Sequence, residues 1–166
     1  MNLPIALVIY AAAMTLANLS VAAFGPSVTI LNAFVLIGLD LALRDWLHVR
    51  LKVWQMGALI AFTGALTFVL NPAAGKIAVA SAVAFTAAAL VDWATFLRLK
   101  GSWLRRANGS NVAGAAVDSL LFPTIAFGAL MPQIVLGQFV AKVAGGAFWA
   151  WLLSRLAKDG LAAPER

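Results

Sequence analysis

Six long apolar runs fill most of this sequence, and they constrain its fold more than any other feature. A run of about 20 apolar residues, when helical, matches the thickness of the hydrocarbon core of a bilayer. Hydrophobic residues make up 63% of the chain and charged residues only 11%, which is not typical of a soluble domain. The sequence therefore predicts an all-α integral membrane protein with six transmembrane helices.

Glycine, proline and charged residues separate these runs and set the predicted helix boundaries. The predicted helices cover residues 3–24, 28–43, 53–70, 77–97, 112–131 and 134–153. They use nearly all of the length, so we predict a single transmembrane domain over residues 1–166. The connection that runs through Asn111 is the longest one, and no room is left for a catalytic or nucleotide-binding domain.

The basic residues are distributed unevenly between the two sets of loops. The loops after the second, fourth and sixth predicted helices carry Arg44, Arg50, Lys52, Arg98, Lys100, Arg105, Arg106, Arg155, Lys158 and Arg166. The opposite loops carry only Lys76. Because short cytoplasmic loops are enriched in Lys and Arg, we predict an inner-membrane protein with both termini in the cytoplasm. This distribution also accounts for the net charge of +6 without nucleic acid as a partner.

Several function classes find no support in the composition. The chain has no cysteine, which excludes disulfides, thiolate metal sites and a cysteine nucleophile. His48 is the single histidine, so we expect no metal site. No phosphate-binding glycine loop and no serine–histidine pair is present. We therefore expect neither an enzyme nor a cofactor.

Polar residues inside the predicted helices are the candidates for function, because a charge near the bilayer centre costs at least about 2.5 kcal/mol. Counting about 1.5 Å per residue from the outer helix ends gives two layers. The outer layer contains Asn18, Asn32, Gln138 and Lys142. The inner layer contains Asp40, Asp92 and Asp118, just above Arg44. Asp40 and Arg44 are four residues apart and can pair, which gives these charges a structural interpretation beside a functional one.

Asp118 lies on a polar stripe of the fifth predicted helix, with Asn111, Gly114 and Phe122 three or four residues apart. Pro123 should bend the helix at this stripe. A polar, bent face suggests a cavity, and the alternative is a packing stripe with one buried ion pair.

Gln138 and Lys142 share a face of the sixth predicted helix. We expect a site that opens from the outer side, with Phe122 beneath Lys142 and Asp118 at its floor. Asp118 should then lie about 9 Å deeper than Lys142, too far for a direct ion pair.

Four segments carry motifs of polar and turn-forming residues that general hydrophobicity does not produce. They are Ala17-Asn18-Leu19 with Phe24-Gly25-Pro26, Asn32-Ala33-Phe34 with Gly38-Leu39-Asp40-Leu41-Ala42-Leu43-Arg44-Asp45, Ser110-Asn111 with Asp118-Ser119, and Phe122-Pro123 with Ala126-Phe127-Gly128. In order and over nearly the whole chain, these motifs resemble the queuosine precursor transporter family, also called vitamin uptake transporters.

The resemblance implies uptake of a 7-deazaguanine, such as 7-cyano-7-deazaguanine, its aminomethyl relative or queuine, for the synthesis of modified tRNA. It also implies a six-helix fold similar to the substrate-binding subunits of energy-coupling-factor vitamin transporters. Together with the depth argument for Gln138 and Lys142, it gives the candidate substrate-binding residues Asn18, Asn32, Asp118, Ser119, Phe122, Gln138 and Lys142. The structural or coupling charges are Asp40, Arg44, Asp45 and Asp92.

Three hypotheses stay open at this point. The first is a self-sufficient transporter in the lipid bilayer, as a monomer or homodimer, in which protonation of a clustered aspartate couples uptake to the proton gradient. The second is a passive binding subunit that needs a separate ATP-driven module and docks through Ala13 and Ala17. The third is a structural membrane protein without a small ligand. Gly137, Ala141 and Gly145 could serve internal packing or a dimer face.

Overall fold

The structure consists of helices joined by short turns. The computed structural model describes residues 2–156, and every regular element in that range is helical. Its α-helices are α1 (Leu3–Phe24), α2 (Thr29–Asn32), α3 (Gly38–His48), α4 (Val53–Leu70), α5 (Gly75–Arg98), α6 (Trp103–Phe127) and α7 (Pro132–Leu156). The short connecting elements are a 3-10 turn (Gly25–Val28), a π-helical segment (Ala33–Ile37) and a second 3-10 turn (Pro72–Ala74). The predicted all-α fold is confirmed for these residues.

Within residues 2–156, five helical stretches are long and apolar enough to span a membrane, so the predicted count of six is wrong. The difference lies in the first stretch, which continues from Leu3 to Leu47 over 45 residues. Its helical elements follow one another with no irregular residue between them, so the first two predicted helices are not separated. A straight helix of that length would measure about 68 Å, roughly twice the thickness of the hydrocarbon core.

This first stretch folds back on itself at Gly25, whose φ of 67° is a conformation that favours glycine. Across the turn, Nδ2 of Asn32 donates to the carbonyl oxygen of Ala17 at 3.3 Å and to the hydroxyl of Ser20 at 2.7 Å. These bonds hold α2 beside the end of α1. The two halves of the stretch therefore run antiparallel, so this one stretch takes the course that the sequence predicted for two helices.

The boundaries of α6 differ from the prediction at both ends. The helix begins at Trp103, so the predicted long loop through Asn111 is wrong. It ends at Phe127, because Gly128 adopts a φ of 75°, whereas the prediction continued to Met131. Every residue of α6 therefore lies about 6 Å closer to the outer end of its helix than the sequence count gave.

Arg44 does not belong to a loop either, because α3 continues to His48 and the side chain of Arg44 is fully buried. Two of the cations that predicted the orientation, Lys158 and Arg166, lie outside the described residues. The remaining cations still cluster at the ends of helices and in the loops on one side. These are Arg50, Lys52, Arg98, Lys100, Arg105, Arg106 and Arg155.

Glycines bring α7 into backbone contact with the π-helical segment and α3. A Cβ atom built on Gly38 would lie 2.6 Å from the carbonyl carbon of Gly145. One built on Gly145 would overlap the carbonyl oxygen of Phe34, and Gly137 faces the side chain of Ile30 in the same way. Both glycines of the predicted small-residue face therefore serve packing within the chain. Contacts within one chain are enough to explain these glycines, and a dimer stays a prediction.

Gly145→Ala should destabilise the protein strongly, because the added methyl group meets backbone atoms that cannot rotate away. Overpacking of this kind typically costs about 1–3 kcal/mol. Gly57→Ala is a matched control, since Gly57 lies inside α4 and a Cβ there has nothing within 4 Å. Thermal unfolding of both variants in detergent measures the difference. Equal midpoints for the two variants would contradict the close approach of α7 and α3.

Candidate functional site

One cavity of the helix bundle has an empty volume of about 310 Å³, which includes space open to the outside. Six predicted substrate-binding residues line it: Asn18, Asn32, Asp118, Phe122, Gln138 and Lys142. They come from α1, α2, α6 and α7. Ser119 is buried but is not among the lining residues.

Lys142 and Asp118 form a buried ion pair that joins α7 to α6. Nζ of Lys142 lies 2.7 Å from Oδ2 of Asp118 and donates to Oε1 of Gln138 at 2.7 Å. The predicted separation of about 9 Å between the two charges is therefore wrong. Since α6 ends at Phe127 and α7 begins at Pro132, the two residues lie about 14 and 15 Å from the outer ends of their helices, at nearly the same depth.

This ion pair leaves one acceptor and one donor of the cavity without partners. Among the described residues, Oδ1 of Asp118 and Nε2 of Gln138 make no hydrogen bond. Both atoms are buried, and a buried polar group without a partner costs about 1–3 kcal/mol. A ligand that offers a donor beside an acceptor would satisfy both atoms at once.

Asn18 and Asn32 line the cavity but already use their amide groups to connect helices. Nδ2 of Asn18 donates to the hydroxyl of Thr67 at 3.3 Å, and its Oδ1 accepts a hydrogen bond from Ser81. These bonds join α1 to α4 and α5. Asn32 is engaged with α1 through its Nδ2 atom. Both residues therefore fix the shape of the cavity wall.

Two aromatic rings, Phe122 of α6 and Phe85 of α5, complete the lining on the apolar side. Phe122 is 9% exposed and meets Phe127 edge to face, with ring centroids 6.2 Å apart. This contact holds the ring in place. A held ring next to hydrogen-bonding groups is suited to stacking on a flat ligand.

A second charged group lies in contact with Phe85. Asp40 and Arg44 form the buried ion pair that their spacing predicts, and both side chains are 0% exposed. The guanidinium carbon of Arg44 lies 5.6 Å from the centre of the Phe85 ring. Phe85 is therefore in contact with this ion pair while it also lines the cavity.

Asp45 and Asp92 are separated from the cavity and lie where α3, α5 and α6 meet. The hydroxyl of Ser110 donates to Oδ1 of Asp45 at 3.3 Å. Asp92 interacts with both of these side chains and with the charge of Arg44. Asp92 is 0% exposed, so its carboxyl group is fully enclosed by the protein. All four predicted structural or coupling charges are thus neighbours in the fold.

Sequence reasoning did not single out Ser81, Phe85 or Tyr10. Ser81 and Phe85 are four residues apart on α5 and both line the cavity. A serine inside an apolar helix is a weak signal that could have indicated α5, because Ser81 and Asp92 fall close to one stripe of the helix. Tyr10 is fully buried on α1 beside Asp40 and Arg44. Its proximity to them depends on the turn at Gly25.

Long apolar helices around a cavity that contains charged groups are typical of multi-pass membrane proteins that carry small molecules. The family model described as "Putative vitamin uptake transporter" matches residues 4–155. The chain therefore belongs to this family, which confirms the predicted resemblance at the level of vitamin uptake transporters. No curated protein and no solved structure matches the chain.

Proposed function

We propose that this protein takes up queuosine precursors across the bacterial inner membrane. The proposed substrates are 7-deazaguanines: 7-cyano-7-deazaguanine, its aminomethyl relative or queuine. The observation that carries the proposal is the unpartnered pair of Asp118 Oδ1 and Gln138 Nε2 beside Lys142 in the cavity. The motifs that resemble the queuosine precursor transporters point to the same substrates.

The hydrogen-bonding edge of a deazaguanine complements these three side chains. It offers ring N–H and amino donors beside a carbonyl acceptor on a flat aromatic body. Asp118 accepts from the donors, and Gln138 or Lys142 donates to the carbonyl oxygen. Phe122 stacks on the ring. Every polar group on that edge then has a partner, which a buried site requires.

Uptake by the purified protein alone is the experiment that tests this proposal. The protein is reconstituted in vesicles and supplied with labelled 7-cyano-7-deazaguanine, with and without an inward proton gradient. We expect labelled substrate to enter the vesicles. An excess of unlabelled deazaguanine should abolish this entry, whereas an excess of unlabelled adenine should not. Stronger accumulation with the gradient would support coupling through the aspartates. If none of the three deazaguanines is bound or taken up, the proposal is wrong, and the hypothesis of a structural membrane protein without a small ligand remains.

The alternative is a substrate-binding subunit of an energy-coupling-factor transporter that needs a separate ATPase module. In the same experiment such a subunit would bind the substrate without transporting it. One part of this alternative loses support in the fold, because Ala13 and Ala17 are only 4% exposed. They lie inside the bundle and present no docking face on α1.

The proposed orientation has both termini in the cytoplasm, and the absence of native cysteine makes it simple to test. Ala73 and Ser102 are exposed and lie in loops at opposite ends of α5, whereas the adjacent Ala74 is buried. We expect an impermeant thiol reagent to label Ala73→Cys in intact cells and to label Ser102→Cys only after the membrane is opened. The reverse pattern would contradict the orientation.

A further inference from the structure

Two fully buried, charged side chains beside the cavity keep polar atoms without hydrogen-bond partners. Among the described residues these atoms are Oδ1 of Asp40 and Nε and Nη1 of Arg44. The side chain of Tyr10 interacts with both charged groups, and all three side chains are 0% exposed. The ion pair with Asp40 uses Nη2 of Arg44. Buried donors of a guanidinium group without acceptors are costly, and they indicate a group that completes them in another state of the protein.

This cluster lies next to the cavity, and one aromatic ring contacts both places. Phe85 lines the cavity and also contacts the guanidinium group of Arg44, 5.6 Å from its ring centre. The charges of Lys142 and of the Asp40–Arg44 pair are close enough to interact. We expect rotation of the Phe85 ring to join the cavity to the cluster.

The cluster repeats the hydrogen-bonding pattern of the cavity. The cavity offers the carboxylate oxygen of Asp118 beside the amide donor of Gln138. The cluster offers the carboxylate oxygen of Asp40 beside the two guanidinium donors of Arg44. A flat heterocycle with N–H donors next to a carbonyl oxygen fits both places in the same way.

We propose that Tyr10, Asp40 and Arg44 form an inner binding station for the same flat, amide-bearing heterocycle, reached from the cavity when Phe85 turns aside. This inference rests on the proposed function and adds a second stop on the way to the cytoplasm. The substrate exchanges one carboxylate and one donor for another pair of the same kind. It thus crosses the centre of the membrane without losing its hydrogen bonds at either stop.

The π-helical segment Ala33–Ile37 contributes to the cavity wall and leads in the chain to the inner station. Ile37 lines the cavity, and Asp40 follows it by three residues. A π-helical turn departs from the regular hydrogen-bond ladder, and such turns occur frequently at functional sites. This segment is the part of the wall that can adjust when the substrate passes.

Arg44→Lys tests the inner station while it keeps the charge that Asp40 requires. Lysine is a point charge and cannot offer the planar fork of donors that the proposed contact uses. We expect substrate affinity to change less than about twofold, and the rate of exchange of labelled for unlabelled substrate to fall at least about tenfold. Arg105→Lys, at an exposed position on α6, is the matched control and should change neither.

Tyr10 gives a direct readout, because it is the single tyrosine of the chain. Fluorotyrosine incorporated into the whole protein places one 19F label at the inner station. We expect saturating 7-cyano-7-deazaguanine to shift or split its 19F resonance in the wild type. Phe85→Trp puts a larger ring at the contact between the cavity and the cluster, so it should reduce both this response and the rate of exchange.

The outcomes separate this inference from the proposed function. A wild type that binds no deazaguanine overturns the proposed function. Binding and transport with an unchanged Tyr10 resonance overturn the inner station alone, as does normal exchange by Arg44→Lys. If Arg44→Lys loses thermal stability and affinity together, the arginine has only a structural effect and the station is overturned as well.

Discussion

Asp118→Asn is expected to abolish substrate binding and to lower the free energy of unfolding at the same time. The change leaves the ammonium group of Lys142 buried without its charged partner, and breaking a buried pair in this way typically costs about 3–5 kcal/mol. Lys142→Met should have the same two effects, because it leaves the carboxylate of Asp118 buried without its charged partner. The double variant Asp118→Asn/Lys142→Met removes both charges, so we expect most of the stability to return while binding stays lost.

Thermal unfolding and affinity for 7-cyano-7-deazaguanine, measured for the three variants side by side, separate folding from binding. Ser119→Ala is the control, because Ser119 is adjacent to Asp118 in the chain but does not line the cavity. It should keep the affinity of the wild type. Normal affinity in the double variant would remove the ion pair from the binding site. Loss of affinity in Ser119→Ala would show that Ser119 belongs to the binding site.

Arg44→Met is expected to lower the free energy of unfolding strongly and to reduce the yield of folded protein. Arg44 is fully buried, pairs with Asp40 and acts electrostatically on Asp92 and Asp118, so its loss leaves buried carboxyl groups without compensation. The expected loss of about 3–5 kcal/mol is a large part of the total stability of a typical domain, about 5–15 kcal/mol. Size-exclusion profiles and thermal unfolding after purification in detergent measure this loss.

The double variant Asp40→Asn/Arg44→Met should recover only part of the stability. Removing Asp40 takes away one carboxyl group, but Asp45 and Asp92 would still lack the charge of Arg44. Arg105→Met changes the same residue type at an exposed position and should shift stability by less than about 0.5 kcal/mol. A fully stable Arg44→Met protein would contradict the picture of a buried charge network.

Local patterns were sufficient to predict the helical class and most of the helix positions. The apolar run that became α4 begins at Val53 and ends at Leu70, as predicted. The pair of Asp40 with Arg44 was also predictable, because two residues four apart on one helix must be neighbours. The prediction failed for α6, where the amphipathic start at Trp103 was taken as a loop. Charges such as Arg105 and Arg106 at a helix start imitate a loop in any hydropathy pattern.

The predicted separation of the first and second helices shows a different limit of sequence-based prediction. The sequence marks the turn at Gly25, but it does not show that helical geometry continues through that turn from Leu3 to Leu47. That outcome depends on the contacts of Asn32 with the end of α1, which form only when the chain has already folded back.

The sequence by itself determined that this chain is an α-helical membrane protein and which polar residues lie within its helices, because hydropathy and periodicity are properties of neighbouring residues. Only the tertiary structure decided that Asp118 meets Lys142 and that Phe85 lines the cavity and also contacts Arg44. Such contacts join different helices, and they depend on where each helix ends and how closely glycines let the backbones approach. A depth count along single helices contains neither of these quantities, and an error of four residues at one helix end was enough to separate a pair that is in fact bonded.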